Sequence, residues 1–395
     1  MAFNEKYVTV TGGGLHDGSS EANAWTWAEA LANYAAGDRV NVKAGTYTHT
    51  TGQSLDTSGS LTSPVVFRGY KTSIGDMDSP SVTQRVEGTD IPLFTGSGGY
   101  IYNGTFYIGY ITFQNFHFEY DSNTILISMN NMTRMTLIRC RVINTNTGTG
   151  ARALYSRYST IRVYNTYLKA EQNADVCLTF NAGGSNIKLF SSVIDGGNIG
   201  SNGRSFAALG CLFKNQSSHS IQDSGYGFDA IEGCTFYNSG GDFINFSAGN
   251  YVTTIKNCVF DACSGYAINC LNNPASTVLL NNAYHDSSFT SGRLSSTDMQ
   301  DIEATTLTAS PFVDAAANDF TISDTSNAYS PVFLMEQEGG ISYRDIGAIQ
   351  HQDLTLGGGS SSPTYTSTAG TQIYPFRTLA EDDFDKGGTK FHPLS

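Results

Sequence analysis

The chain has 395 residues, of which 42 are glycine and only 14% are charged, while 12% are aromatic. This content of large apolar residues excludes a disordered chain, and the lack of long Ala, Glu, Lys and Leu tracts argues against a helical bundle. The formal net charge of −13 argues against nucleic-acid binding, because recognition of phosphates needs clustered Lys and Arg. We expect β structure with many tight turns.

Neither a membrane span nor a signal peptide is predicted. The sequence has no run of 18 apolar residues, which a membrane-spanning helix would need. The first residues, MAFNEKYVTVTGGG, lack the basic segment and the apolar core of a secretory signal. We therefore expect synthesis in a cytoplasm without classical secretion, and no insertion into a membrane.

The first predicted element is a short amphipathic helix. Trp25, Ala28 and Leu31 follow one another at helical spacing, which places them on one face of a helix. We assign residues 1–50 to an N-terminal cap and a first coil.

A repeat begins downstream of this cap. Cys211, Cys234 and Cys258 occupy the matching hexamers GCLFKN, GCTFYN and NCVFDA, at spacings of 23 and 24 residues. The second residue of each hexamer is an anchor position. The anchors of the eight copies are Phe116, Cys140, Thr166, Ser192, Cys211, Cys234, Cys258 and Asn282. We expect the cysteines to be small buried residues, since free cysteine is usually buried.

A large apolar residue follows each anchor two positions later. These residues are Phe118, Val142, Leu168, Ile194, Phe213, Phe236, Phe260 and Tyr284. Alternation along a strand places them and the anchors on one inward face. Asn or Gly precedes the anchor in six of the eight copies, and both tolerate the left-handed backbone of a bend. Three short strands per coil of about 24 residues predict a parallel β-helix over residues 51–353.

Both ends of this region resemble a known family. The beginning, GSSEANAWTWAEAL at 18–31 and AGDRVNVKAGTY at 36–47, is similar to the start of right-handed parallel β-helix proteins of the pectate-lyase-like superfamily. The end, SPFVDA at 310–315, NDFTI at 318–322 and RDIGAI at 344–349, resembles their closing coils. The resemblance covers about residues 8–352. It implies an all-β, right-handed β-helix in which a short helix caps the first coil.

The last part of the sequence has a different composition. Residues 354–363 are rich in Gly and Ser and predict a flexible linker. Residues 364–395 are too few to bury a core alone, and we expect them to form an arm that orders against a partner. The large apolar residues of this arm are Ile373, Tyr374, Phe376, Leu379, Phe384 and Phe391.

Two carboxylate pairs are candidates for glycosidase chemistry, which needs two carboxyl groups about 5 to 9 Å apart. Coils about 4.8 Å apart satisfy this distance readily. The candidates are Asp223 with Asp242, and Asp229 with Glu232. The resemblance implies a Ca²⁺-binding acid cluster for lyases of this fold and fixed Asp motifs for pectin hydrolases, and the coils contain neither pattern. We predict no metal site and no cofactor.

The residue three positions after each anchor is expected to face outwards. These residues are Glu119, Ile143, Lys169, Asp195, Lys214, Tyr237, Asp261 and His285. One interpretation is a polar stripe for acid and base catalysis on a bound chain. The other is a solvated face whose alternating charges avoid repulsion between neighbouring strands, and we favour this second interpretation.

Tyrosines on the coils are candidate carbohydrate contacts, because a flat ring stacks on a sugar and its hydroxyl forms hydrogen bonds. We single out Tyr155, Tyr167 and Tyr237. Tyrosine is also common in strands and in protein interfaces, so both interpretations stay open.

Three functions are compatible with these features, since one fold hosts many functions. The favoured one is a structural or adhesive virion component of a tailed bacteriophage, a spike, fibre or capsid decoration protein, attached to other virion proteins through residues 364–395. The alternatives are a polysaccharide depolymerase of tailspike type, either lyase or glycoside hydrolase, and a non-catalytic carbohydrate-binding module. We expect a homo-oligomer, for which a trimer is one arrangement, and a cell-surface polysaccharide is a further candidate partner.

Overall fold

The computed structural model describes residues 2–78, 90–97, 100–103, 108–122, 125–148, 151–171, 176–181, 185–201, 205–223, 228–246, 252–270, 277–285, 291–296, 299–317 and 319–323. The predicted linker 354–363 and arm 364–395 lie outside these residues. Three long parallel sheets and one antiparallel hairpin make up the described fold. The predicted parallel β-helix is therefore confirmed.

The chain visits the three sheets in turn, so each strand pairs with the strand that lies three positions away in strand order. Sheet A consists of β1 (Asn4–Val8), β2 (Asp38–Lys43), β5 (Val65–Tyr70), β8 (Ile111–Gln114), β11 (Met135–Ile138), β14 (Thr160–Tyr164), β17 (Asn186–Phe190), β20 (Ser205–Leu209), β23 (Phe228–Glu232), β26 (Val252–Lys256), β29 (Thr277–Leu280) and β32 (Asp301–Ile302). Within the described part of sheet A, the first pair, β1 with β2, departs from this spacing.

Sheet B follows sheet A in each coil, and sheet C follows sheet B. Sheet B consists of β3 (Gly45–Thr48), β6 (Pro92–Ser97), β9 (His117–Asp121), β12 (Arg141–Asn144), β15 (Tyr167–Ala170), β18 (Val193–Asp195), β21 (Leu212–Gln216), β24 (Thr235–Ser239), β27 (Val259–Cys263), β30 (Ala283–His285) and β33 (Thr305–Leu307). Sheet C consists of β4 (Gly52–Leu55), β7 (Tyr100–Asn103), β10 (Ile125–Asn130), β13 (Arg152–Arg157), β16 (Val176–Asn181), β19 (Asn198–Ser201), β22 (Ile221–Asp223), β25 (Ile244–Phe246), β28 (Tyr266–Asn269) and β31 (Gly292–Leu294).

A two-residue bend joins sheet A to sheet B in the eight coils of the repeat. The first residue of each bend has a φ between 46° and 62°, in the left-handed region. Asn and Gly fill six of these positions, as predicted, and Arg139 and Ser191 adopt the same conformation at the other two. The second residue of the bend is the anchor, and every anchor is buried. The anchor lies in the bend rather than in the strand, which begins one residue later.

Small polar anchors complete the hydrogen bonds that the bend leaves unpaired. The Thr166 hydroxyl donates to the Tyr164 carbonyl (2.8 Å) and accepts from the Cys140 N–H (3.1 Å). The Thr166 N–H in turn donates to the Ser192 hydroxyl (3.2 Å). Asn282 makes the equivalent contact with the Cys258 N–H (2.9 Å). An unpaired buried backbone group is costly, so this position selects side chains that both fit and hydrogen-bond.

The interior of the coil is a stack of apolar side chains. The large residue two positions after each anchor is buried in all eight copies, as predicted. Ring centroids of Phe213 and Phe236 lie 4.7 Å apart, and those of Phe236 and Phe260 lie 4.9 Å apart, with nearly parallel planes. Equivalent residues of neighbouring coils therefore pack directly on one another along the axis.

A short helix, α1 (Trp27–Asn33), lies at the N-terminal end. Thr26 is its N-cap in a capping box with Glu29, which pairs the free N–H groups of the first turn. The helix buries Trp27 and Ala30. The predicted helix is thus present, but its buried face was wrongly predicted. Trp25 precedes the helix and Ala28 is exposed.

The described chain ends in a hairpin, β34 (Phe312–Asp314) and β35 (Asp319–Ile322), whose strands pair antiparallel with each other. We call residues 310–323 the strap. Phe312, Phe320 and Ile322 of the strap are buried in one cluster with outward-facing apolar residues of sheet B. Those sheet residues are Leu212, Val259, Ala283 and Leu307. The strap therefore covers the outer face of sheet B over its C-terminal coils.

Candidate functional site

The outer face of sheet B carries two parallel rows of side chains. The first row contains His117, Arg141, Tyr167 and Val193 in register on β9, β12, β15 and β18. The second row contains Glu119, Ile143, Lys169 and Asp195 in the same four strands. Neighbouring members of a row lie about one strand spacing apart, about 4.8 Å. We call the polar members of these rows the sheet B site.

Tyr167 and its neighbours form the centre of this site. The guanidinium carbon of Arg141 lies 4.8 Å from the centroid of the Tyr167 ring, in a cation–π contact. The Tyr167 hydroxyl donates to the Asp195 carboxylate (2.8 Å). Asp195 also accepts from the Asn215 amide (3.0 Å) and pairs with Lys214 (3.1 Å). Charged groups therefore contact both the face of the Tyr167 ring and its hydroxyl.

His117 lies beside Arg141 and is almost fully buried. Burial, together with the positive charge of Arg141, lowers the pKa of His117 to about 4. Its ring is therefore neutral near neutral pH, although Nε2 lies 3.1 Å from the Glu119 carboxylate. We conclude that His117 adds no positive charge to the site. Arg141 and Lys169 carry its positive charges, and the Lys169 ammonium pairs with Glu171 (2.9 Å) at the edge of the site.

The positive charge of the site is part of a larger basic belt. Residues 131–170 contain seven of the 22 Lys and Arg residues and none of the 35 Asp and Glu residues. The seven are Arg134, Arg139, Arg141, Arg152, Arg157, Arg162 and Lys169. Clustered basic residues, which the net charge had argued against, are thus present in a chain that is acidic elsewhere. A count of charge along the sequence would have found them.

One acid of each predicted pair, Asp242 and Glu232, has a described side chain. The Asp242 carboxylate accepts from Asn245 (2.8 Å), from Asn269 (2.8 Å) and from the Tyr266 N–H (2.7 Å), so structural hydrogen bonds occupy it. Glu232 pairs with Lys256 (3.2 Å) on the neighbouring strand of sheet A.

The partners predicted for these two acids, Asp223 and Asp229, lie in strands β22 and β23. Their side chains lie outside the described part of the chain. Asp229 and Glu232 are three residues apart on one strand, which places the two positions on opposite faces of sheet A.

The predicted tyrosines are distributed over different surfaces. Tyr167 belongs to the sheet B site, whereas Tyr155 lies on β13 of sheet C and is half-buried. Tyr237 lies under the strap, with its ring 5.9 Å from Phe312 and 5.2 Å from Phe320. Burial raises the pKa of Tyr237, and Asp261 adds to this effect. Its side chain is half-buried, with edge-to-face contacts to both rings of the strap.

Four of the eight residues of the outward stripe are buried and four are partly exposed, so it is only in part the solvated face that we favoured. Asp195, Lys214 and Asp261 are only 9%, 8% and 2% exposed, and the strap contacts Lys214 and Asp261. Asp261 pairs with His285 (2.7 Å) and accepts from Ser310 of the strap (2.6 Å). The sequence pattern did not predict this contact with the strap. Strand alternation shows that a residue faces outwards, but it does not show what packs on that residue.

Other types of site were sought in the same residues. Among the residues that the structure describes, no group of three or more His, Cys, Asp and Glu side chains is arranged to hold a metal ion. Within the described ranges, no helix is both long and apolar enough to cross a membrane. The six apolar residues of the predicted arm, from Ile373 to Phe391, lie outside the described part.

Comparison with known proteins gives structural neighbours only. No family model matches the sequence, and no curated protein matches it. The fold is similar to that of pectate lyase Pel9A, with a TM-score of 0.50 and 17% identity over 89% of this chain and 97% of that chain. A rhamnogalacturonan lyase matches with a TM-score of 0.45 and 12% identity, over 78% of this chain and 90% of its own.

A viral protein, ORF18 of Geobacillus virus E2, matches with a TM-score of 0.43 and 13% identity. The match covers 68% of this chain and 52% of that one, so it spans about half of the viral chain. At such identities the likeness concerns the fold and not the chemistry. The chain is an all-β parallel β-helix, a fold that it shares with pectate lyase Pel9A.

Proposed function

We propose that the protein binds an anionic polysaccharide along the sheet B site. The observation that carries this proposal is the basic belt at residues 131–170, which places Arg141 and Lys169 on one open face. Strands of a β-helix stack at a constant interval, so these two cations lie on neighbouring coils, Arg141 in the first row and Lys169 in the second. An acidic sugar chain that crosses both coils matches this diagonal pair of cations.

The aromatic ring of the site favours a sugar polymer over a bare polyanion. Tyr167 combines an apolar ring with a hydroxyl fixed on Asp195 (2.8 Å), and Arg141 lies against that ring (4.8 Å). Arginine binds carboxylates through a planar fork of donors. A uronic acid residue, with a carboxylate next to a ring, offers both complementary groups.

Calorimetric titration with oligogalacturonate and oligoalginate tests this proposal. Replacing Arg141 by Gln removes one cation that would face the ligand, and we expect affinity to fall about tenfold, the effect of roughly 1.4 kcal/mol. Lys256→Gln is the matched control, because this lysine pairs with Glu232 on sheet A. Equal losses in both variants, or no binding of either oligosaccharide, would refute the proposal.

Cleavage of the bound chain is a second candidate function, and the composition of the site favours elimination over hydrolysis. Arg141 would neutralise the sugar carboxylate, and Lys169 in its uncharged form would take the proton from the carbon next to that carboxylate. The electron pair of the broken C–H bond forms the double bond as the bond to the glycosidic oxygen breaks, and that oxygen takes a proton from water. The product would carry a carbon–carbon double bond. The assay measures the rise in ultraviolet absorbance from this product during incubation with polygalacturonate or alginate. No rise in absorbance, with binding retained, would show that the protein binds the polysaccharide without cleaving it.

The place of action that we propose is a bacteriophage virion, with attachment through residues 364–395. The proposal is supported by the composition of that segment, where six large apolar residues follow a Gly/Ser linker. A chain truncated before residue 354 should keep its β-helix, as measured by circular dichroism, and should be missing from purified particles. Incorporation of the truncated chain would contradict this assignment.

A further inference from the structure

The strap touches the proposed binding site through a continuous series of side chains. Phe320 of the strap lies under the Lys214 ammonium, 5.9 Å from ring centroid to Nζ. Lys214 pairs with Asp195 (3.1 Å), and Asp195 accepts from the Tyr167 hydroxyl (2.8 Å). Tyr167 carries Arg141 on its ring (4.8 Å). Each contact joins neighbouring strands of sheet B or joins the strap to that sheet.

The strap contacts this series at its most buried part, the ion pair of Lys214 with Asp195. Asp195 is 9% exposed and Lys214 is 8% exposed, so little water separates the two charges or screens them. An ion pair held away from water is stronger and better ordered than an exposed one. Without the strap, both groups would be hydrated, and the Asp195 carboxylate would be free to turn away from Tyr167.

We infer that Phe320 is a positioning residue for the sheet B site, acting through Lys214 and Asp195 on Tyr167 and Arg141. This inference rests on the proposed binding of anionic polysaccharide to that site. Phe320 itself touches no ligand in this arrangement. The strap thus has a role in ligand affinity in addition to covering apolar residues of sheet B.

Phe312 provides a matched control within the same hairpin. It is buried in the same apolar cluster and packs on Tyr237, whereas Phe320 also carries the Lys214 contact. Phe320→Ala and Phe312→Ala therefore remove rings of equal size from the strap. Phe320→Tyr keeps the ring beneath Lys214 and serves as the conservative variant.

The experiment measures the affinity of the full chain for a galacturonate tetramer by calorimetry, together with thermal unfolding. We expect Phe320→Ala to weaken binding about threefold to tenfold, a usual range for coupling between connected sites. Phe312→Ala should change affinity less than twofold at a similar loss of thermal stability, and Phe320→Tyr should restore binding. In a Tyr167→Phe background, which lacks the hydroxyl held by Asp195, Phe320→Ala should have no further effect.

Equal weakening by the two alanine variants would overturn the inference, because it would indicate general loosening of the strap. An undiminished effect of Phe320→Ala in the Tyr167→Phe background would overturn it too. In both cases the wild-type chain still binds, and the proposed function stands. If the wild-type chain binds neither galacturonate nor alginate, the proposed function fails and the positioning role falls with it.

Discussion

Residues at the bend between sheets A and B combine two requirements in adjacent positions. The first residue has a left-handed backbone, with φ 55° at Asn257 and 58° at Gly233. The second must fill a small internal space and pair backbone groups, as the Thr166 hydroxyl does with Tyr164 and Cys140. This explains why Cys, Ser, Thr and Asn alternate at the anchor.

Thr166→Val tests the second requirement. Valine keeps the volume but leaves the Cys140 N–H unpaired in the interior, whereas the Tyr164 carbonyl still accepts from the Arg139 N–H (2.9 Å). We therefore expect the free energy of unfolding to fall by about 1 to 3 kcal/mol. Thr166→Ser, which keeps the hydroxyl and loses one methyl group, should cost only about 1 kcal/mol. Chemical denaturation of wild type and the two variants measures these free energies of unfolding. Equal losses in the two variants would show that packing alone selects the anchor residue.

His117 predicts a pH dependence of stability. Its pKa is lowered in the folded chain to about 4 by burial and then by Arg141, so the unfolded chain binds a proton more readily. The stability that the neutral ring provides is therefore lost as the pH falls from the ordinary histidine pKa towards 4. Between pH 7 and pH 5 we expect wild type to lose about 2 kcal/mol more than His117→Gln, whose side chain does not titrate.

Thermal and urea unfolding at the two pH values measure this difference. Carboxylates that do not contact His117 titrate equally in both proteins, so their contribution cancels in the comparison. Parallel pH profiles for wild type and variant would contradict the lowered pKa.

The strands of sheet B differ in the polarity of their outer faces. The first row changes from His117, Arg141 and Tyr167 to the apolar Leu212, Val259 and Ala283. The strap covers the apolar part with Phe312, Phe320 and Ile322. The sequence shows this change of polarity along the row. It does not show that the strap, which follows the last coil, folds back and covers the apolar part.

Asp242 also acts at the level of elements, since it joins β25 and β28. Its carboxylate accepts from Asn245 and Asn269 at 2.8 Å each. Asp242→Asn would place an NH₂ group opposite these donors, and we expect a loss of about 2 kcal/mol in unfolding free energy with unchanged oligosaccharide affinity. Glu232→Gln, in an exposed pair with Lys256, should cost less than about 1 kcal/mol. Reduced affinity in Asp242→Asn would restore this acid as a site residue.

At the scale of the whole molecule, charge is segregated along the axis. Residues 131–170 hold seven basic and no acidic residues, while the chain as a whole carries −13. Distant acidic coils repel a polyanion and the belt attracts it, so binding depends on short-range contacts that salt screens.

Affinity for oligogalacturonate should therefore fall with added salt. For two or three neutralised carboxylates we expect about a tenfold loss between about 50 and 200 mM NaCl. Calorimetric titrations at these two concentrations measure the loss. An affinity independent of salt would exclude the belt as the binding surface.

The sequence alone determined the β-helix, because a solenoid repeats the same local structure in every coil. A left-handed residue, a buried anchor and an inward apolar residue recur at nearly constant spacing from Phe116 to Asn282. Such contacts are between equivalent residues of adjacent coils, so periodicity reveals them. The predicted acids Asp223, Asp229, Asp242 and Glu232 had no comparable signal, since a carboxylate in a turn looks the same whether it binds a ligand or a backbone.

Only the tertiary structure decided which outward residues are covered and which stay open. Among the described residues, the strap contacts Asp261 and Tyr237, while Arg141, Tyr167 and Lys169 lie on a half-exposed part of sheet B. These contacts join residues far apart in the chain, such as Ser310 with Asp261, and follow no repeat. Their physical origin is the burial of apolar surface on both partners, which only the packed arrangement of strap and sheet brings together.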